Sequence, residues 1–101
     1  MLENLTAATF SEVLNTKFRF HLSETDLLEL EVIKVEEMGS SPRQERFSIL
    51  FQGPLDQVLL QGMYRVEHDQ LGTFDLFIVP IAKEEEGIVY EAAFNRIKKQ
   101  P

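Results

Sequence analysis

Imidazole titrates near neutral pH and ligates metals, so His21 and His68, the two histidines of this 101-residue chain, are the first places to look for chemistry. Neither falls in an H-x-x-H, H-E-x-x-H or H-x-E spacing. A site would have to be assembled across strands, with Glu67, Asp69 or Asp75 beside His68. A histidine at the end of a hairpin arm is ordinarily solvated or caps the turn, and that is the expectation for His68. Carboxylates occur in pairs at Glu29 and Glu31, at Glu36 and Glu37, and in the run Glu84-Glu85-Glu86. General acid-base work needs two carboxyls whose environments drive their pKa values apart, which requires burial of at least one. Alternation places Glu29 and Glu31 opposite Leu28 and Leu30, in water, and the run at 84–86 ends in Gly87 as a solvated turn.

Nucleophile and phosphate motifs are missing. There is no G-x-S-x-G, Ser48 falls in a strand, and Ser40 and Ser41 fall in a loop. The five glycines are scattered, with no G-x-G-x-x-G or Walker-type spacing. With no cysteine, disulfides, thiol nucleophiles and cysteine-based zinc sites are excluded together. No catalytic residue, no metal site and no cofactor is expected. Lys17-Phe18-Arg19-Phe20-His21 has the look of a nucleic-acid stacking strand. Alternation, however, sends Phe18 and Phe20 to one face and Arg19 and His21 to the other, whereas a stacking platform needs both on one exposed side.

The elements that position these residues follow from composition and period. Hydrophobic residues are 44% and charged residues 27% of the chain, which suits one domain over 1–101 with its own core. The formal net charge of −7 repels phosphate backbones and anionic lipid, so neither nucleic acid nor membrane is an expected partner. The start MLENLTAATFSEVLN has neither a basic region nor a long apolar core, and no apolar run reaches the roughly 20 residues a bilayer needs. Cytoplasmic residence is the expectation.

Residues 6–15 predict a short amphipathic helix. Its N-cap is Thr6 or Thr9, the latter with Glu12 in a capping box, and Phe10, Val13 and Leu14 form the apolar edge. From 17 to 97 the period is two. Phe18, Phe20 and Leu22 point inward, then Leu28, Leu30 and Val32, with a phase change near Val32 and Ile33 that suggests a β-bulge or a strongly bent strand. Phe47, Ile49 and Phe51 share a face; Pro54 to Leu60 reads as a turn or helical turn with Leu55, Val58 and Leu59 on one edge. Gly62 to His68 and Gly72 to Ile81 form a hairpin, and Ile88, Tyr90, Ala92 and Phe94 line a last strand. The fold class is mostly β: a six-stranded antiparallel curled sheet or barrel with a short N-terminal α-helix.

GTFDLFIVPI, residues 72–81, is apolar on both faces: Phe74, Leu76 and Ile78 on one, Phe77, Val79 and Ile81 on the other. Pro80 confines its end to an edge or a bulge. The second face must be covered by the N-terminal helix, by the Pro54 to Leu60 segment or by another chain. In the last case Phe77, Val79 and Ile81 form an interface, with a protein partner or a second copy.

Phe51-x-Gly53-Pro54, Gln61-Gly62-x-Tyr64, His68-x-x-Leu71-Gly72-x-Phe74-x-Leu76-Phe77-x-Val79-Pro80 and Tyr90-Glu91-Ala92-x-Phe94-Asn95-Arg96 resemble an uncharacterised bacterial family of short, mostly-β proteins, a domain of unknown function. The resemblance runs from the helix to Arg96. It implies no catalytic residue. It does imply occurrence beside proteins with phage-tail collar-like domains, and so an accessory or structural part in a tail-like assembly. Tyr64, His68, Asn95 and Arg96 are the polar members of the pattern, and hydrogen bonding that fixes the hairpin and last strand is their expected role. The functional expectation is a non-enzymatic interaction or structural module. The alternative is a small-molecule-binding barrel or minor enzyme, with Tyr64, His68, Tyr90 and Arg96 converging on a pocket; it fails if Phe18, Phe20, Phe47, Ile49 and Phe94 fill the interior.

Overall fold

The computed structural model describes residues 5–41 and 43–97, with the backbone alone at 40. A helix, α1 (Ala7–Ser11), precedes six strands: β1 (Lys17–His21), β2 (Leu27–Ser40), β3 (Gln44–Gly53), β4 (Gly62–His68), β5 (Gly72–Glu84) and β6 (Gly87–Ile97). All neighbouring strands are antiparallel, and the order β1-β2-β3-β6-β5-β4 closes into a ring because β1 also pairs with β4. The closure is irregular. β1 and β4 share only the pairs Arg19↔Glu67 and Phe20↔Val66, against the ten consecutive pairs of β3 with β6 from Gln44↔Ile97 to Gly53↔Ile88.

Two-residue alternation builds the core. Phe18, Phe20, Leu30, Val32, Phe47, Ile49, Phe51, Val66, Leu76, Ile78, Tyr90 and Ala92 are all buried, each contributing roughly 1.5–3 kcal/mol for a large side chain fully removed from water. The phase change in β2 is a bulge: the register shifts between Val32 and Lys34, leaving Ile33 as the extra residue and turning Val35 back against the core. Another shift falls between Pro80 and Ala82 in β5, beyond Ile78 where the pairing with β4 ends, so the proline without a ladder donor sits where β6 is the neighbour paired with β5.

Two glycines are demanded by geometry. Gly72 turns the β4–β5 hairpin at φ +85°, a conformation that L side chains rarely adopt. At Gly87 a Cβ would stand 2.2 Å from the carbonyl oxygen of Gly53, so β3 and β6 approach each other there only because Gly87 has no side chain.

The helix departs from the expected span. It ends at Ser11, and Asn15 takes φ 67° as the chain enters the sheet through Asn15 N–H to Val32 O and Val32 N–H to Thr16 O. These ladder bonds compete with a second helical turn and win, since a five-residue helix gains little on its own. Thr6 is the N-cap, accepting the Thr9 N–H at 3.2 Å, so the Thr9 capping box does not form. Phe10 and Val13 are buried while Leu14 is 39% exposed.

The helix also lies elsewhere than over Phe77 and Val79. It rests against β2 and β3 and drives Phe10 into the ring, 6.1 Å from the Phe18 centroid, 6.3 Å from Phe47, 6.4 Å from Phe74 and 5.7 Å from Phe94. A fully buried aromatic side chain removes about 150–250 Å2 from water, so Phe10 anchors the short helix to the core. The segment from Pro54 to Leu60 forms a turn and an irregular stretch with no helical turn, and it commits only Leu59 to the core, with Leu55 and Val58 exposed.

Candidate functional site

The four polar residues expected to converge have partners in different parts of the molecule. His68 ends β4 and is buried against the Phe18 ring at 4.3 Å. Its Nδ1 accepts the N–H groups of Gln70 at 3.1 Å and Leu71 at 3.3 Å, which places the ring proton on Nε2. Nε2–H then donates to Thr16 Oγ1 at 2.9 Å, and Thr16 Oγ1 donates to the Val13 carbonyl at 2.6 Å. Burial lowers the His68 pKa from 6.5; Asp69 opposes that shift and Arg19 adds to it. The result is a neutral imidazole that caps the hairpin and ties it to the turn between α1 and β1. Both ring nitrogens are used in doing so.

Tyr90 and Tyr64 serve the 54–61 segment. Tyr90 Oη, in the core, accepts the Leu59 N–H at 2.9 Å, and burial raises its pKa. Tyr64 Oη donates to the Leu60 carbonyl at 2.6 Å. Arg96 lies at the end of β6, over the Phe47 and Phe94 rings at 5.5 and 5.6 Å, with Nη2 donating to the Leu5 carbonyl and standing 3.1 Å from Glu45 Oε1. Asn95 Oδ1 accepts from Gln44 Nε2 at 2.7 Å. Each group fixes a loop, a turn or a terminus. The ring interior between them is occupied by Phe18, Phe20, Phe47 and Ile49, all fully buried, with Phe94 packed against them.

Other polar clusters are similarly engaged. Arg19 joins Asp69 at 3.0 Å across the short β1–β4 closure, and His21 Nε2 stands 3.0 Å from Glu67 Oε1, close enough for an ion pair but off the line of a hydrogen bond. The pairs and runs of acidic residues at 36–37 and 84–86 are exposed. A groove of about 570 Å3 runs past Lys17, Glu29, Glu31, Gln52 and Glu86, but among the described residues no three His, Asp or Glu side chains stand together as a metal site would require. Ser48 is a surprise, fully buried although it faces outward: its hydroxyl donates to Glu91 Oε2 at 2.7 Å and lies 3.4 Å from Met38 Sδ. No sequence signal marks this, because the cover comes from two other strands.

The outer face of β5 is different in kind. Phe77 is 47% and Ile81 50% exposed, Val79 is partly buried, and Met63, directly opposite Phe77 on β4, is 64% exposed. Beside them the β5–β6 ladder ends at Val79↔Glu91. Past that point a cleft of about 250 Å3 opens between Asp75, Leu76 and Phe77 on one strand and Ala93, Phe94 and Asn95 on the other. Periodicity identified the apolar face; the cleft depends on where two strands cease to pair, which no local pattern encodes.

The family model for a domain of unknown function, DUF6916, matches residues 5–94. Comparison with curated proteins and with solved structures returns no match.

Proposed function

The chain belongs to the family of domain of unknown function DUF6916, and from that premise we propose that it is a non-enzymatic interaction module, of the kind that serves as an accessory component of a phage-tail-like assembly. The observation that carries this reading is the apolar face of Met63, Phe77 and Ile81, about half exposed among the described residues, with Val79 beside them, on a ring whose interior is already filled. Clustered apolar side chains of this size are held at a surface when a partner covers them. The occupant is another protein rather than a second copy, since two chains of net charge −7 repel on approach. The engaged hydrogen bonds of Tyr64, His68, Tyr90 and Arg96 support a structural role for those groups and leave the pocket reading without an observation in its favour.

The test is a double substitution, Phe77→Glu with Val79→Glu, in a tagged protein recovered from its native cells. Removal of about 1.5–3 kcal/mol of apolar contact per residue predicts at least a tenfold loss of the partner. The thermal midpoint should fall only moderately, since Phe77 is half exposed already while Val79 is partly buried and lies directly across from Glu91. A complex that survives in a folded double variant would defeat the proposal.

A further inference from the structure

The ladder between β2 and β3 stops short at one end of the ring. Its last pairs there are Val32↔Phe51 and Glu31↔Gln52, while β2 runs on to Leu27 with only β1 paired beside it. Continued in that register, Glu29 would face Pro54, whose nitrogen has no hydrogen to donate, and the chain turns away at Leu55 and Asp56. Backbone parity shows which groups this leaves. Val32 gives its N–H to the Thr16 carbonyl and accepts the Asn15 N–H, so on β2 residues 28, 30 and 32 bond toward β1, and 27, 29 and 31 face β3. Glu31 has Gln52 as its partner; the N–H and C=O groups of Leu27 and Glu29 have none among the described residues. The groove of about 570 Å3 lies along this edge, lined by Leu27 to Glu29 of β2, by Gln52 to Pro54 where β3 ends, and by Glu86 from the turn between β5 and β6. It sits at the Gly53↔Ile88 end of the β3–β6 ladder. Leu5, held by Arg96, and Ile97 lie at the other end, roughly 25 Å along the strands.

We infer that this edge is a strand-addition site, which takes a short, extended, basic segment of a separate protein and with it continues the line of β3 beyond Pro54. The site is distinct from the outer β5 face and stands without it. Main-chain bonds to Leu27 and Glu29 fix the register of the added segment. Charge selects it. Glu29, Glu31 and Glu86 line the groove against one cation, Lys17, which faces Glu31 directly across the β1–β2 ladder. These carboxylates are not gathered as a metal site would need, so basic side chains at alternate positions of an extended segment match them better than a single ion does. Alternation sends those basic side chains to the outer face that Glu29 and Glu31 share, and sends apolar ones toward Leu28, which packs on the core. A second copy of this chain, with the same net charge of −7, is repelled.

The probe is an acetylated, amidated peptide of about five residues alternating lysine with valine, roughly 16 Å long when extended. Backbone amide hydrogen exchange of the full chain is followed with and without it at low salt. The Glu29 amide should exchange fast in the isolated chain and slow down saturably, by at least roughly threefold, at millimolar peptide. Leu28 and Leu30, which bond to β1, should not change. The same peptide N-methylated throughout should give no protection, and a version with glutamate for lysine should bind roughly tenfold more weakly. In the double variant Glu29→Gln, Glu86→Gln, altered at two exposed positions, affinity for the lysine peptide should fall by roughly threefold to tenfold and lose much of its salt dependence.

A Glu29 amide already protected in the isolated chain would overturn the inference, and protection that rises with protein concentration would assign the edge to a second copy instead. Equal protection by the methylated peptide, or by a simple diamine, would reduce the groove to cation binding and overturn strand addition. So would the absence of any protection by the lysine peptide at millimolar concentration.

Discussion

At the scale of single residues, the side chains with the richest chemistry hold the structure together. His68 illustrates how. An imidazole that accepts two backbone N–H groups on Nδ1 and donates from Nε2 to Thr16 must stay neutral, because protonation would turn Nδ1 into a donor facing donors. Its pKa in the folded chain is lowered, so the unfolded chain takes up the proton first as pH falls. The contribution of His68 to stability is therefore complete above about pH 6.5 and diminishes below it. The urea midpoint of the parent should fall more steeply between about pH 7.5 and 5.5 than that of His68→Gln. That variant should itself be less stable at the higher pH by roughly 1–3 kcal/mol, the cost of buried donors left without their acceptor. Parallel slopes for the two proteins would mean that His68 takes no part. The sequence placed His68 at the end of a hairpin arm, where it would be either solvated or turn-capping, and the structure has it capping. Its burial was not, since Thr16 and Phe18 reach it from another part of the chain.

At the scale of elements, α1 matters beyond its length. Five residues cannot sustain a helix alone, and this one is kept by Thr6 at its N-terminus and by Phe10 inside the ring. Phe10→Ala should remove about 3–5 kcal/mol, a large fraction of the stability of a domain this size, while Leu14→Ala, at an exposed position, should change it by less than about 1 kcal/mol. Chemical denaturation of the two variants checks this; similar losses would mean that the helix lies outside the core. Phe10 and Val13 were readable as the apolar edge from their spacing. The surface they meet was not, because helical period says which side is apolar and is silent on which partner receives it.

For the molecule as a whole, charge and closure decide how it meets other chains. A formal net charge of −7 on 101 residues disfavours self-association at low ionic strength, even with an apolar face exposed. Light scattering over a wide concentration range at low salt should return the mass of one chain, 11.7 kDa. A persistent dimer would place a second copy on the β5 face and count against a separate protein there. Among the described residues no helix is long and apolar enough to cross a membrane.

The amino-acid order alone determined the mostly-β class and the six strands and their facing, and it marked Ile33 and Pro80 as places where regular pairing is interrupted, because alternation and proline act within a few residues of chain. It also determined that one strand would be apolar on two faces. Tertiary structure decided the rest. Whether Phe77 is covered, why Ser48 is buried, where His68 and Arg96 find their partners and where β5 and β6 cease to pair are all set by contacts between residues far apart in sequence. Local pattern fixes which groups a strand presents, and only the closed ring fixes what each group faces.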